Sequence, residues 1–293
     1  MNIEILNLYS NIAKPDSDLI GKHGQSFLIK MNGENILFDV GGDGDTLLHN
    51  MKKLNVDPNE ISKLIFSHGH YDHTKGLPEF LDARSGNKKL PVYAHPDVRE
   101  PKYAKVLFIK KNIGFPKLTN EQEEKIEFKF NRGPIQINDI LRTTGEIKER
   151  KYRDGAEPTA VHMEGDELKM DPIYDDLSLI LELDKEQIII TGCAHAGILN
   201  ICTNAKKTSD KPIKAIIGGT HMARYSEEEV LETGEVFRTK FNDPNLYLNH
   251  CTDQLPYFFM KSTNAIDILR EKYGAEKIEP CYVGTKISYS TVS

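Results

Sequence analysis

Apolar and polar residues alternate along the first forty residues in a pattern typical of β-strands. We predict three strands there, in the segments IEILNLY, QSFLIKM and NILFDV. Asn32 and Gly33 tolerate positive φ angles and therefore favour a tight hairpin between the second and the third strand. The chain is expected to begin with a β-sheet.

Helical periodicity follows this sheet. Leu47, Leu48, Met51 and Leu54 would share one face of a helix, and Asp45 is expected to cap its N-terminus. The run KLIF then predicts a short buried strand that ends directly before the sequence SHGHYDH.

The second half of the chain repeats this alternation of strands and helices. Two apolar runs, separated by a charged turn at Asp184 and Lys185, predict a strand pair in DDLSLILELDKEQIIITG. A helix from Ile198, the strand PIKAIIGG, a helix opened by the capping box at Ser226, the strand NLYLNH and a last helix ending near Gly274 should follow. This order predicts an α/β protein with two β-rich halves and helices outside.

The segment between these halves has a weaker pattern. PVYAHP resembles a strand, but the residues after it mix short apolar runs with charge. The chain has 293 residues and 39% hydrophobic content, enough to bury a full core. We predict a single domain over residues 1–293 with a cap or lid insertion at about 96–172.

Charge and composition exclude several kinds of partner. The formal net charge of −6 gives no broad cationic field, which disfavours nucleic acid. The N-terminus lacks a basic segment ahead of an apolar one, and the most apolar later stretch, 188–201, is interrupted by polar residues, so no membrane partner is expected. The four cysteines form no CxxC pair, which predicts a reduced, cytoplasmic protein. The sequence is compatible with a homo-oligomer and does not determine the oligomeric state.

The strongest chemical signal is the cluster His68, His70, Asp72 and His73, directly after a predicted strand. Imidazole nitrogen and carboxylate oxygen are ligands suited to zinc, iron or manganese. His68 and His70 can point the same way to bind one ion, while Asp72 and His73, past the turn, reach a second. We therefore predict two divalent metal ions, with zinc as the first choice.

This cluster resembles the HxHxDH signature of the metallo-β-lactamase superfamily, and NILFDVGGDGD resembles the strand and turn that precede it. Within the superfamily the chain is similar to the 7,8-dihydropterin-6-ylmethyl-4-(β-D-ribofuranosyl)aminobenzene 5'-phosphate synthases. The similarity lies in KHGQSFLI, SHGHYDHTKGL, DDLSLIL, TGCAHAGI, IGGTHM and NHCTD. It implies an αββα sandwich of two mixed β-sheets flanked by helices. Asp43, in the preceding turn, is a candidate brace for the metal loop.

The ends of later strands and the resemblance together suggest the remaining ligands. His195, on a loop at a strand end, is expected to be the third ligand of the first metal, and His250 to complete the second site, with His221 as the alternative. Where many members carry a bridging Asp, this chain has Cys193, which either binds metal or packs as a small residue. Members of the superfamily usually carry another His just before the preceding hairpin, and this His is missing here. Asp176 lies near that position and either binds metal or orients a ligating imidazole.

The remaining expectations concern the reaction. His221 ends the segment GGTH, in which the two glycines allow a substrate to approach closely, so we expect His221 to face the substrate. The catalytic candidates are Asp72, His221, Cys193 and Asp176. Lys75, Arg224 and His23 are expected to bind a small, phosphorylated substrate.

Two metals support two kinds of chemistry. In synthase-like transferase chemistry, an arylamine would attack the methylene carbon of a dihydropterin diphosphate and diphosphate would leave, whereas a hydrolase would cleave a phosphodiester, lactone or ester. A third hypothesis is a non-catalytic metal or redox sensor with Cys193 as its reactive thiol. The fold itself does not choose between these functions.

Overall fold

The computed structural model describes residues 1–86, 88–253 and 262–290. The strands are β1 (Asn2–Tyr9), β2 (Ser26–Met31), β3 (Glu34–Phe38), β4 (Ile61–Ile65), β5 (Leu90–Ala94), β6 (Lys102–Val106), β7 (Ile109–Asn112), β8 (Ile126–Phe130), β9 (Leu141–Thr143), β10 (Ala160–Glu164), β11 (Glu167–Met170), β12 (Leu179–Glu182), β13 (Gln187–Thr191), β14 (Ile213–Gly218), β15 (Asn245–Leu248), β16 (Ile278–Pro280) and β17 (Lys286–Ser290). The α-helices are α1 (Gly44–Lys53), α2 (Tyr71–Thr74), α3 (Leu77–Asp82), α4 (Asn120–Glu124), α5 (Ile198–Thr208), α6 (Glu227–Lys240) and α7 (Ala265–Tyr273).

The chain divides into two compact units. The first comprises Met1–Arg132, Ala156–Asp175 and the residues from Tyr282 onward; the second comprises Gly133–Gly155 and Asp176–Cys281. Most of the expected insertion at 96–172 therefore belongs to the first unit, but its central part belongs to the second. The single domain with a cap or lid stays a prediction.

A seven-stranded mixed sheet organises the first unit, in the order β17-β1-β2-β3-β4-β5-β8. The strands from β17 to β3 pair antiparallel, as the predicted hairpin at Asn32 and Gly33 requires, and β3, β4, β5 and β8 run parallel. Parallel strands bring their C-terminal ends to one edge of a sheet. The ends of β3 and β4 therefore lie side by side, and the loop that carries the histidine cluster begins at this edge.

Helix α1 packs by the face that its periodicity predicts. Leu47 and Met51 are fully buried in the core of this unit, and Leu48 and Leu54 are partly buried against it. The prediction of its N-terminus is wrong, however. Asp43 caps the helix, because its Oδ1 accepts a hydrogen bond from the Thr46 amide at 2.9 Å, and Asp45 lies in the first turn.

The first unit also contains a four-stranded antiparallel sheet, in the order β11-β10-β6-β7, which the sequence did not predict. All four residues of β7 are exposed, and the apolar side chains of Leu107 and Phe108 at the β6–β7 turn are exposed too. A strand with no buried face has no reason to alternate apolar and polar residues, which explains the weak pattern of this segment.

A six-stranded mixed sheet organises the second unit, in the order β16-β15-β14-β13-β12-β9. Here the predicted elements are confirmed: α5 begins at Ile198, Ser226 and Glu229 form the capping box of α6, and α7 ends before Gly274. The three helices share one hydrophobic cluster with the sheet, to which Ile189 and Ile216 contribute fully buried side chains. In the described ranges, no helix is long and apolar enough to cross a membrane.

We predict that Asp43→Ala lowers the free energy of unfolding by about 1 kcal/mol, as is typical for loss of an N-cap. Lys22 and Thr46 hold the pKa of Asp43 at about 2, below its ordinary value of 3.8. The carboxylate's stabilising contribution is therefore present above about pH 4 and is lost as the pH falls through about 2. Urea denaturation at pH 7 measures the effect. Asp45→Ala is the matched control, and an equal loss there would contradict the cap assignment.

Candidate metal centre

A buried aspartate at the end of β3 organises the loop that follows β4. Asp39 is fully buried and has a φ of 62°. Its Oδ1 accepts a hydrogen bond from the Ser67 amide at 2.8 Å, and its Oδ2 accepts one from the Ser67 hydroxyl at 2.7 Å. The same Oδ2 lies 2.7 Å from Nδ1 of His73. One carboxylate thus ties both ends of the loop together.

These contacts orient two of the predicted ligands. A carboxylate can only accept, so Nδ1 of His73 donates to Asp39 and its Nε2 keeps a lone pair. The Ser67 hydroxyl donates to Asp39 and lies 2.9 Å from Nδ1 of His68, from which it can accept. Both imidazoles therefore present Nε2 as the potential ligand atom. Asp43, expected to brace this loop, instead caps α1 and pairs with Lys22.

The structure brings the four predicted ligands of the first unit together in two pairs. Possible ligand atoms of His68 and His70 lie within 4.8 Å of each other, as do those of Asp72 and His73. Nε2 of His68 is 3.0 Å from Nδ1 of His70, and Nε2 of His73 is 3.8 Å from Oδ2 of Asp72. All four side chains are buried.

Two of the expected substrate-binding residues lie on the same unit. Nε2 of His23 is 3.1 Å from Oδ2 of Asp72, and the His23 side chain is 27% exposed. The role of His23 at the rim of the site stays a prediction. Lys75 directly follows α2 and is exposed.

In the second unit, the predicted loop ligand follows β13. Nδ1 of His195 lies 2.9 Å from the carbonyl oxygen of Gly155, which can only accept, so Nε2 of this imidazole is again the potential ligand atom. The approach needs glycine, since a Cβ on Gly155 would lie 2.8 Å from the oxygen of Ala194. Asp176 is buried and its Oδ2 accepts a hydrogen bond from the Ala196 amide at 2.9 Å. Asp176 therefore fixes the loop that carries His195.

Cys193 and His250 form a third close pair. Their possible ligand atoms lie within 4.8 Å of each other, and both side chains are buried. The ring of His221 lies 4.5 Å from that of His195, centroid to centroid. His221 and His250 have φ angles of 55° and 49°, a region that is uncommon for non-glycine residues and often found at functional sites. Arg224, the last expected substrate-binding residue, is half-buried, and its carbonyl accepts from Arg153.

The chemistry of these donors fits divalent metals. Buried imidazoles with a defined donor at Nδ1, together with a carboxylate and a thiol, are the groups that zinc and iron bind in proteins. Each unit supplies such donors at the C-terminal ends of its strands.

Comparison with known proteins agrees with this chemistry. The model of the metallo-β-lactamase superfamily matches residues 20–197. The chain belongs to the metallo-β-lactamase superfamily. The superfamily's fold recurs in Tm1679, described as a metal-dependent hydrolase of the β-lactamase superfamily. The TM-score is 0.78, with 24% identity over 97% of this chain and 98% of that one. YhfI from Bacillus subtilis, a metallo-β-lactamase fold protein, has a TM-score of 0.58 and 13% identity over 99% of this chain and 100% of its own.

A curated relative narrows the comparison within the superfamily. The 7,8-dihydropterin-6-methyl-4-(β-D-ribofuranosyl)-aminobenzene-5'-phosphate synthase of Methanocaldococcus jannaschii is 32% identical over 261 residues, which cover 86% of this chain and 88% of the relative. The predicted family, fold class and enzymatic character are therefore confirmed: the chain is a metal-dependent enzyme of the superfamily.

The groups that orient the predicted ligands are not evident from the sequence. Asp39 lies in the segment NILFDVGGDGD, whose resemblance to the superfamily did not predict its role. An acidic residue directly after a buried strand, on the same sheet edge as a histidine cluster, is the signal that could have identified it. Gly155 left no signal, because it acts through its backbone carbonyl.

We predict that Asp39→Asn lowers metal affinity by about 10- to 100-fold, the usual effect of removing such a partner. Asparagine tolerates the positive φ angle and can still accept from the Ser67 amide, but its NH₂ then faces Nδ1 of His73. His73 would move its proton to Nε2 and lose its ligand lone pair. Chelator competition measures the affinity. Asp45→Asn, an exposed position, is the control, and equal affinities of both variants would contradict the assigned role.

Proposed function

We propose that this enzyme acts on a phosphorylated or diphosphorylated small molecule, in a reaction like that of the dihydropterin synthases. The observation that carries the proposal is the 32% identity to the Methanocaldococcus jannaschii synthase over 86% of the chain. Because this similarity extends over both units, it supports a likeness in the whole catalytic apparatus and not in the histidine motif alone.

The proposed enzyme uses two divalent metal ions, with zinc as the first choice. His68 and His70, with His195, are the proposed ligands of the first ion; Asp72 and His73, with His250, are those of the second. The pairing of ligand atoms within each unit supports this division. The pairing of His250 with Cys193 also favours His250 over His221 as ligand, and makes Cys193 a candidate thiolate ligand.

Asp176 is assigned a different role. Its Oδ2 already accepts from the Ala196 amide, so we propose that it positions the His195 loop.

Divalent ions, when bound, supply positive charge that stabilises the anionic oxygens of a phosphate or a leaving group. The residues of the chain orient the metal ligands and contact the substrate. Asp39 and the Gly155 carbonyl hold two imidazoles in the tautomers that bind metal. His23 lies against Asp72, and we propose that it, Lys75 and Arg224 contact the substrate, with the two cations balancing phosphate charge. His221, beside His195, is proposed to face the substrate.

Hydrolysis of a phosphodiester, lactone or ester is the alternative reaction, and membership of the superfamily supports it. A sensor function is disfavoured because Cys193 is only 3% exposed, whereas reactive cysteines lie at accessible positions. We also propose a cytoplasmic location, which is consistent with the four buried, free cysteines. Assays of dihydropterin diphosphate with an arylamine, and of phosphodiesters, lactones and esters, on one metal-analysed sample distinguish the two reactions.

The ligand assignment predicts opposite results for two neighbouring histidines. His195→Ala should lower metal occupancy, because it removes a proposed ligand, whereas His221→Ala should keep the metals and lose turnover. Metal analysis by plasma mass spectrometry and turnover assays on the same samples measure both quantities. The reverse pattern would exchange the two roles.

The substrate assignment predicts an effect that depends on charge. Lys75→Ala and Arg224→Ala should each raise KM for a phosphorylated substrate by about 10-fold, since loss of a charged hydrogen bond costs about 1.5 to 3 kcal/mol when it is fully made. Neutral ester substrates should be unaffected. Lys89→Ala, on an exposed lysine, is the control. Efficient turnover of neutral lactones or esters with no turnover of any phosphorylated compound would reject the synthase-like function.

A further inference from the structure

Three charged side chains are buried together in the first unit. Lys102, Asp171 and Asp175 are 4%, 7% and 1% exposed. Nζ of Lys102 lies 2.9 Å from Oδ1 of Asp175 and 3.4 Å from Oδ2 of Asp171. Burial of charge is costly unless every charged atom has a partner, so such a cluster persists only where its geometry is satisfied.

The cluster contacts the backbone of the metal-binding loop. Oδ2 of Asp175 accepts a hydrogen bond from the Gly69 amide at 2.8 Å. Gly69 lies between His68 and His70, the pair proposed to bind the first metal. The two oxygens of Asp175 thus join the Lys102 ammonium to the backbone that carries these imidazoles. A charged acceptor makes this hydrogen bond stronger than one between neutral groups.

Packing fixes the same loop from a second side. A Cβ on Gly69 would lie 2.2 Å from the carbonyl oxygen of Val98 and 2.9 Å from Cε of Lys102. The Lys102 carbonyl accepts from the Ile113 amide at 3.0 Å, and the Ile113 carbonyl accepts from the Tyr71 amide at 2.8 Å. The segment around Lys102 therefore holds the loop both before and after His70.

The charge balance favours a persistent ion pair. Burial lowers the pKa of Lys102, but Asp175 and Asp171 outweigh this effect and raise the pKa above its ordinary value. The ammonium therefore stays charged at neutral pH, opposite two carboxylates. Each charge restrains the others in one arrangement.

We propose that Lys102, Asp171 and Asp175 are positioning residues for the metal centre, which hold the His68-Gly69-His70 backbone in its ligating conformation before metal binds. The inference rests on the metal site of the proposed function. Sites whose ligands are held in advance bind with less loss of conformational freedom, so the cluster should slow metal release.

Asp175→Asn tests this role with little change in shape. Asparagine has one acceptor oxygen, so it can serve the Gly69 amide or the Lys102 ammonium, but not both. The full-length, metal-loaded variant should release metal about 10-fold faster into excess chelator, and the absorption bands of its cobalt-substituted form should shift. Lys105→Met, at an exposed position of the same strand, is the control and should match the wild type in both measurements.

Asp171→Asn provides a second variant in case the first fails to fold. Asp171 contacts Lys102 at the longer distance, and the Gly69 hydrogen bond is made by Asp175, so release should accelerate by less than in Asp175→Asn but more than in Lys105→Met. Thermal unfolding with and without metal separates positioning from general stability. A positioning role predicts that the metal-dependent rise in Tm becomes smaller in the variants.

Folded variants with wild-type release rates, cobalt spectra and metal-dependent Tm shifts would overturn the inference. A wild-type protein that binds no divalent metal would overturn the proposed function itself, and the two failures are therefore distinguishable. Because none of these measurements uses turnover, the choice between synthase and hydrolase chemistry does not affect the test.

Discussion

The arrangement of the first unit depends on one buried carboxylate. Asp39 holds Ser67 and His73 through three contacts at 2.7 to 2.8 Å, and it does so without access to water. A buried carboxylate is tolerated only where its oxygens are satisfied by donors, so the loop after β4 and the end of β3 must keep this geometry. The left-handed backbone at Asp39 is a local cost that these hydrogen bonds offset.

The same logic recurs around two other predicted ligands, His70 and His195. The Gly155 carbonyl fixes the His195 ring, the Asp176 carboxylate fixes the loop around it, and Asp175 fixes Gly69. Acceptors that cannot donate decide which imidazole nitrogen carries the proton, and hence which one can bind metal. The donor types alone suit several divalent metals, and buried acceptors fix the orientation of two of these imidazoles.

Membership of the superfamily establishes a fold and metal-dependent catalysis but leaves the reaction to local differences. Cys193, whose possible ligand atom lies within 4.8 Å of that of His250, is one such local feature. Lys75 and Arg224 can add positive charge in a protein whose net charge is −6. Such local charge is more relevant to substrate choice than the net charge of the protein. The reason is that salt screens the field of a surface charge beyond about 8 Å at physiological ionic strength.

The sequence by itself determined the elements with one buried face and the ligand types. Periodicity identified β1 to β3, α1 and α5 to α7, and the spacing of His68, His70, Asp72 and His73 indicated the metal chemistry, because burial of one face and ligand spacing are local properties. The tertiary structure decided the partners. Asp39 is 28 residues from Ser67 and Asp175 is 106 residues from Gly69, so only folding brings these acceptors to the loop. Only the tertiary structure revealed strand β7, because all its residues are exposed and no apolar stripe marks it in the sequence. It also decided that Asp43 caps α1, because Asp43 and Asp45 are both suitable caps by sequence.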